Sequence, residues 1–185
     1  MANTSTAHLP ASKDLWVFVL GDFVIFGSYF VIFMISRRQE RDLFIESQRQ
    51  LSLNIGVVNT LVLLASSWFV ARAVQVARSG EFERARKLTI GAGLCGVVFM
   101  LVKAYEWLAK IAQGHTFPSN SFFMYYYMLT GVHLFHVAIG LVFLGVVYVE
   151  LRKRKPLALV ETGATYWHMV DLLWVVIFAL LYVMR

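Results

Sequence analysis

The long apolar stretches of this 185-residue chain contain acidic, basic and imidazole side chains, of which seven stand out: Asp22, Lys103, Glu106, His133, His136, His168 and Asp171. Six of them form pairs three residues apart, namely Lys103/Glu106, His133/His136 and His168/Asp171. Residues at that spacing share one face of an α-helix. Carboxylates and imidazoles on one face can pair with each other, exchange protons or bind a metal ion. These residues are therefore the first candidates for chemistry.

Placing an Asp, Lys or Arg at the centre of a membrane-spanning helix costs roughly 2.5–3.5 kcal/mol, so each such residue needs a reason. A structural polar network that pairs the helices is the favoured interpretation. A second is that Asp22 is a partly desolvated carboxyl that takes part in proton movement. A third is a metal or haem site on His133 and His136, which His168 would have to join. We expect no catalytic residue, no bound metal and no cofactor.

The elements that must position these residues follow from composition. The chain is 59% apolar and 15% charged, far from the ~45–50% and ~25% of soluble domains. With one cysteine, Cys95, it offers no disulfide framework and no thiolate metal site. A bilayer span needs about 20 apolar residues. Five windows meet that length, at about residues 15–36, 51–71, 88–109, 121–150 and 165–184.

Strand-like alternation is absent from these windows, and backbone in lipid must satisfy its own hydrogen bonds. The sequence therefore predicts an all-α membrane protein, a bundle of five transmembrane helices. Residues 15–185 would form a single domain after a flexible N-terminal tail, residues 1–14. The segments between the windows (37–50, 72–87, 110–120 and 151–164) are assigned to connections.

The net charge of +6 is a loop property, because Lys and Arg lie mainly between the windows. We therefore expect no nucleic acid partner. These cations are more numerous in the tail and in segments 72–87 and 151–164 than in the other connections. The positive-inside rule then predicts a cytoplasmic N-terminus and a periplasmic C-terminus. The basic run Arg152, Lys153, Arg154 and Lys155 could contact anionic lipid headgroups, although a topology signal is the simpler explanation.

Two further patterns carry no chemistry. The segment from Gly91 to Gly96 matches the GxGxxG dinucleotide motif, but that motif has meaning only between a strand and a helix. Inside an apolar span, glycines are more typical of close helix approach. Ser66 and Ser67 are interpreted as interhelical contacts rather than nucleophiles, since no His or acid is near them in sequence.

Five segments, in order, resemble the subunit III family of haem–copper oxidases. The first is Leu20-Gly21-Asp22-Phe23, where many relatives have Glu in place of Asp22. The others are Asn59-Thr60-Leu61-Val62-Leu63-Leu64-Ala65-Ser66, Lys103-Ala104-Tyr105-Glu106-Trp107, Thr130-Gly131-Val132-His133-Leu134-Phe135-His136-Val137 and Tyr166-Trp167-His168-Met169-Val170-Asp171. The chain resembles the last five helices of the seven-helix mitochondrial form. Within the family it is most similar to the NorE-type accessory proteins of bacterial nitric oxide reductase systems.

This resemblance implies a subunit without redox centres in the bacterial inner membrane. Its partners would be membrane lipids and the haem-containing catalytic subunit of a nitric oxide reductase or terminal oxidase. Its function would be to support the assembly, stability or sustained activity of that subunit. Two alternatives stay open: subunit III of a quinol or cytochrome c oxidase, and a small proton or ion carrier. No inverted repeat or pair of broken helices supports the carrier.

Overall fold

The computed structural model describes residues 13–154 and 157–184, and side chains from Leu15 onward. These residues form six helices: α1 (Lys13–Gln39), α2 (Arg41–Arg49), α3 (Leu53–Arg78), α4 (Phe82–Ala112), α5 (Ser121–Arg152) and α6 (Ala158–Phe178). A π-helical segment, Ala179–Val183, continues α6. The described residues contain no strand. Residues 1–12 of the predicted flexible tail lie outside them.

Five segments are long and apolar enough to cross a membrane, which confirms the predicted number of spans. They are α1, α3, α4, α5 and the combined α6–π segment. Large apolar side chains point outward from all five, for example Val24, Leu61, Leu94, Val142 and Leu172. An apolar outer surface is stable only against lipid or a partner's apolar surface. The protein is therefore a multi-pass membrane protein.

Three of the four predicted connections consist mostly of helix that was not predicted. Helix α3 runs to Arg78 and α4 begins at Phe82, so most of segment 72–87 is helical. Helix α6 begins at Ala158 rather than near residue 165, so most of segment 151–164 is helical as well. Hydropathy detects only the part of a helix that lies in hydrocarbon. Backbone hydrogen bonding continues through charged residues at the membrane surface, where water solvates the side chains.

Segment 37–50 was also wrongly assigned to a connection, because it contains the short helix α2. This helix is amphipathic, and its inward side chains are Phe44, Ser47 and Gln48. The ring of Phe44 lies 5.4 Å from that of Phe33 on α1 and 5.6 Å from that of Phe122 on α5, measured between centroids. Helix α2 therefore covers one end of the bundle without spanning it.

The π-helical segment is held by α1 and α2. Gln48 Nε2 donates to the backbone oxygens of Leu180 and Leu181, at 3.0 and 3.1 Å. Arg37 donates from Nη2 to the backbone oxygen of Met184, at 2.9 Å. Backbone oxygens near the end of a helix lack partners within it. The two side chains supply those partners at the end of the last span.

Helix α6 lies at the centre of the bundle, packed against α1, α3 and α5. Its Trp167 side chain is fully buried against two glycines of neighbouring helices. A Cβ atom at Gly96 on α4 would lie 2.7 Å from the indole, and one at Gly140 on α5 would lie 2.8 Å away. Gly96 thus leaves room for the Trp167 indole, whereas a Cβ at Gly93 of the same GxGxxG segment would meet nothing within 4 Å.

Candidate functional site

The Lys103–Glu106 pair forms the most buried polar cluster in the described residues. Lys103 Nζ lies 2.9 Å from Glu106 Oε2, and the side chains are 0% and 2% exposed. Lys103 also donates to the hydroxyls of Tyr126, at 3.2 Å, and Tyr182, at 2.6 Å. The Tyr182 hydroxyl in turn donates to Glu106 Oε1, at 2.6 Å. All three ammonium donors and both carboxylate oxygens are therefore paired.

Aromatic rings complete the surroundings of this ammonium group. Lys103 Nζ lies 4.6 Å from the ring centroid of Tyr126, 5.3 Å from that of Trp174 and 5.1 Å from that of Tyr182. A cation over an aromatic face is stabilised, and more so away from water. The cluster joins α4, α5, α6 and the π-helical segment with no net charge, which suits a structural role.

Asp22 on α1 and His136 on α5 form a second pair. Asp22 Oδ2 lies 3.4 Å from His136 Nε2, and each side chain is about one-tenth exposed. The other ring nitrogen, Nδ1, lies 2.8 Å from the backbone oxygen of Val132. The His136 ring also packs edge-on against Phe26 of α1, with centroids 5.5 Å apart. The pair therefore joins α1 to α5 within the membrane.

The hydrogen-bond geometry of His136 fixes one proton of this pair. A backbone oxygen can only accept, so Nδ1 of His136 carries a hydrogen and donates it to Val132. In a neutral imidazole, Nε2 would then be an acceptor facing the acceptor oxygen of an ionised Asp22. The two atoms are 3.4 Å apart, and Asp22 Oδ2 has no hydrogen-bond partner among the described residues. Asp22 and His136 are therefore close in space without a hydrogen bond between them.

His133 forms no hydrogen bond with either cluster, although its ring packs on Trp174, one of the rings around Lys103. Its side chain is fully buried, and neither ring nitrogen has a hydrogen-bond partner among the described residues. The ring lies between Phe99 and Trp174, with centroid distances of 5.6 and 5.2 Å. Although His133 and His136 share the helix α5, His133 packs among aromatic rings and His136 faces Asp22.

His168 and Asp171 form a third group with Ser67 of α3. Ser67 Oγ lies 2.7 Å from His168 Nδ1, and Asp171 Oδ2 lies 3.9 Å from the same nitrogen. Because α6 begins at Ala158, His168 lies about 15 Å along the helix, near the middle of the 26-residue span.

The structure thus divides the seven predicted residues among separate places. Lys103 joins Glu106, Asp22 joins His136, and His168 joins Asp171, while His133 stands alone. The metal interpretation required His168 to lie next to His133 and His136. In the structure it does not. Within residues 13–154 and 157–184, no three His, Cys, Asp or Glu residues are grouped closely enough to hold a metal ion.

Several members of these groups were not singled out from the sequence. Tyr126 and Tyr182 complete the Lys103 cluster, and the only available signal was their position inside apolar spans. Ser67 was correctly interpreted as an interhelical contact, but its partner is a histidine distant in sequence. Ser66 is also interhelical: it donates to the backbone oxygen of Ala92, at 2.8 Å, and accepts from Trp167 Nε1, at 3.1 Å.

The candidate headgroup contacts lie at the end of α5. Arg152, Lys153 and Arg154 are exposed there, and Lys155 lies outside the described residues. The guanidinium carbon of Arg154 lies 6.0 Å from the ring centroid of Phe82, where α4 begins. The three exposed cations therefore lie at the end of the fourth span.

Fold and site together define an all-helical, multi-pass membrane protein whose intramembrane titratable groups mostly pair within the bundle. The chain belongs to the cytochrome c oxidase subunit III family, whose model matches residues 12–185. It is 30% identical over 175 residues to cytochrome c oxidase subunit 3 of Thermostichus vulcanus, covering 92% of this chain and 85% of the relative. Quinol oxidase subunit 3 of Bacillus subtilis is 25% identical over 173 residues, covering 91% and 84%.

A third relative is a longer protein. The haem–copper oxidase subunit I+III of Aeropyrum pernix is 25% identical over 190 residues, which cover 95% of this chain and 23% of that protein. The family resemblance seen in five sequence segments is thereby confirmed. The resemblance to NorE-type proteins in particular stays a prediction.

Proposed function

We propose that this chain is a non-catalytic subunit that binds beside a haem–copper-type catalytic subunit and supports its assembly, stability or sustained activity. The observation that carries this proposal is the match to a protein named subunit I+III, of which this chain covers 23%. A region similar to this chain is there part of the same polypeptide as subunit I. Such a fusion is expected when the two parts lie side by side in the membrane.

The chemistry of the site supports a stabilising role. The Lys103 cluster is neutral and its polar atoms are paired, and the Asp22–His136 pair joins α1 to α5. Outward-facing apolar side chains leave the outer surface of the bundle available to lipid and to an apolar partner. We assign the redox chemistry to the partner and the positioning of helices and lipid to this chain.

For the partner, we propose the catalytic subunit of a bacterial nitric oxide reductase system, with this chain as a NorE-type accessory protein. This follows the resemblance of the Lys103 and Trp167 segments and of the aromatic run from Phe122 to Tyr127. The second candidate is subunit III of a cytochrome c or quinol oxidase. The names of the relatives in Thermostichus vulcanus and Bacillus subtilis favour that candidate.

One purification separates these functions. The chain is affinity-tagged and purified in mild detergent from native membranes of cells grown with nitrate and of cells grown with oxygen. Co-purifying haem with nitric oxide reduction is expected under the first proposal, and co-purifying oxygen reduction supports the second candidate. A haem-free chain that moves protons alone in liposomes would contradict both and support a small carrier.

We also propose that the protein lies in the bacterial inner membrane with its N-terminus in the cytoplasm and its C-terminus in the periplasm. The excess of Lys and Arg at the end of the bundle where α3 and α5 end supports this orientation. Reporter fusions at each terminus test it: an N-terminal fluorescent protein should fold, and a C-terminal alkaline phosphatase should be active. The opposite pair of results would reverse the orientation.

The exposed cations Arg152, Lys153 and Arg154 are proposed contacts for anionic lipid headgroups. Near an anionic membrane surface, each cation contributes about 1 kcal/mol of attraction. Replacing all three with Gln should lower the phosphatidylglycerol retained by the purified chain, measured by mass spectrometry. An unchanged lipid content would leave these residues as a topology signal only.

A further inference from the structure

A groove opens between α3 and α6, where polar side chains lie among apolar ones. Its volume is about 230 Å³, and its lining includes Ala71, Gln75 and Arg78 of α3 and Glu161, Thr165 and His168 of α6. At its mouth, Arg78 donates from Nη2 to Glu161 Oε1, at 2.8 Å. From this charged end of the bundle the groove extends to His168, which lies near the middle of the span.

The inner end of this groove lies beside a buried carboxyl group. Asp171 is 5% exposed, and neither of its oxygens has a hydrogen-bond partner among the described residues. Its Oδ2 atom lies 3.9 Å from His168 Nδ1, which lies 2.7 Å from Ser67 Oγ. A buried polar group without a partner costs about 1–3 kcal/mol, and more if it is charged. Asp171 therefore needs either a proton or water.

The groove presents polar side chains beside the apolar Val74 and Ala164. The side chains of Gln75, Glu161, Thr165 and His168 offer hydrogen-bonding atoms along its length. A water molecule occupies about 30 Å³ in the liquid, so 230 Å³ accommodates several. Such waters persist only where polar partners are present, and this groove supplies them on both helices.

We propose that this groove is a water-filled entry that connects the Arg78–Glu161 end of the bundle to the Asp171 carboxyl. Water reaches His168, and the carboxyl exchanges its proton with that water past the imidazole and the Ser67 hydroxyl. In each exchange one proton leaves the carboxyl group and one arrives, so the net charge does not change. This inference does not depend on which catalytic subunit is the partner.

Thiol labelling in native membrane vesicles tests whether the groove holds water. In a Cys95→Ser background, Thr165→Cys places a thiol in the groove. Val146→Cys places one on the lipid-facing surface of α5, where Val146 is 43% exposed. Both positions lie about 10 Å from the same end of the bundle. A charged, membrane-impermeant methanethiosulfonate reagent reacts with a thiolate only where water is present.

The expected result is a reaction at least tenfold faster at Thr165→Cys than at Val146→Cys, and only from the membrane side that faces Arg78. Equal rates at the two positions would show that lipid fills the groove and would overturn the proposal. Normal accumulation of both variants in the membrane, checked by immunoblot, establishes that the comparison concerns folded protein.

Infrared spectroscopy tests the carboxyl directly. A protonated Asp171 should give a carboxyl C=O band that Asp171→Asn removes and that shifts in D₂O. Ala71→Trp fills the groove and should slow this shift at least tenfold. Ala65→Trp, on the exposed face of the same helix, should leave it unchanged. A band unaffected by Asp171→Asn, or equal exchange in both Trp variants, would overturn the proposal.

Discussion

Lys103 and Glu106 form an ion pair one turn apart on α4, with 2.9 Å between Nζ and Oε2 and almost no exposure of either side chain. Two tyrosine hydroxyls complete the hydrogen bonds of the pair. The net contribution of such a buried ion pair to stability is small, because the cost of removing both charges from water offsets most of their attraction. Loss of one partner is costly, because it leaves the other charge alone.

The first prediction concerns this asymmetry. Lys103→Met should lower the free energy of unfolding by ~3–5 kcal/mol, because the Glu106 carboxylate loses its counter-charge. The double variant Lys103→Met/Glu106→Leu should recover most of that loss. Thermal stability of the purified chain in one detergent measures both. Lys87→Met, at an exposed position of α4, is the control and should change stability by less than ~0.5 kcal/mol.

The second prediction concerns the Asp22 carboxyl group, which lies beside His136. Asp22→Asn should accumulate and assemble normally, since the amide is similar in size, but the partner's activity should decay faster during turnover. The physical reason is that a carboxyl group can take up and release a proton during turnover, whereas an amide cannot. The measurement is the time course of substrate reduction by the purified complex.

Ser28→Ala is the matched control for this experiment. The Ser28 hydroxyl donates only to the backbone oxygen of Val24 in its own helix, so its loss should not affect the time course. An unchanged time course of substrate reduction in Asp22→Asn would show that the carboxyl group is dispensable. Reduced abundance of the subunit would instead indicate that the carboxyl serves helix pairing alone.

The third prediction concerns the π-helical segment. Gln48→Glu replaces a donor with acceptor oxygens that face the backbone oxygens of Leu180 and Leu181. The segment Ala179–Val183 should then open more often, and its amide hydrogen exchange should rise at least tenfold. Gln50→Glu at an exposed side chain is the control and should leave exchange unchanged. Equal rates of amide hydrogen exchange in both variants would mean that Gln48 does not stabilise the π-helical segment.

The fourth prediction compares glycines in α4 and α5. Gly96→Ala and Gly140→Ala should each destabilise the protein by ~1–3 kcal/mol, because the added Cβ would lie under 3 Å from Trp167. Gly93→Ala and Gly145→Ala are matched controls in the same two helices, because a Cβ there meets nothing within 4 Å. Thermal stability in detergent measures all four. Similar losses at all four positions would contradict the packing argument.

The number and approximate location of the spans could be predicted, because 20 apolar residues in sequence have few alternatives in a bilayer. The end of α3 and the beginning of α6 could not be predicted. Arg72, Gln75, Arg78 and Glu161 are polar, and hydropathy does not distinguish a polar helix end from a loop. Helix α2 was not predicted for a similar reason. The hydropathy averaged over its nine residues is low, because polar and apolar residues alternate around the helix.

The pairs Lys103/Glu106 and His168/Asp171 could be predicted, because each lies within one helix. The residues of other helices that contact these pairs could not be predicted. Spacing indicated that Lys103 meets Glu106, since three residues nearly complete a turn. Spacing within a helix contains no information on which distant residue lies opposite. The contacts of Asp22 with His136 and of Ser67 with His168 depend on how α1, α3, α5 and α6 pack, which only the structure shows.

The slot for Trp167 has a consequence for the order in which the bundle forms. Its walls come from Gly96 on α4 and Gly140 on α5, and both helices precede α6 in the chain. A ribosome therefore releases α4 and α5 into the membrane before the indole that fills the space between them. The space between these two glycines is therefore filled only after α6 has been synthesised.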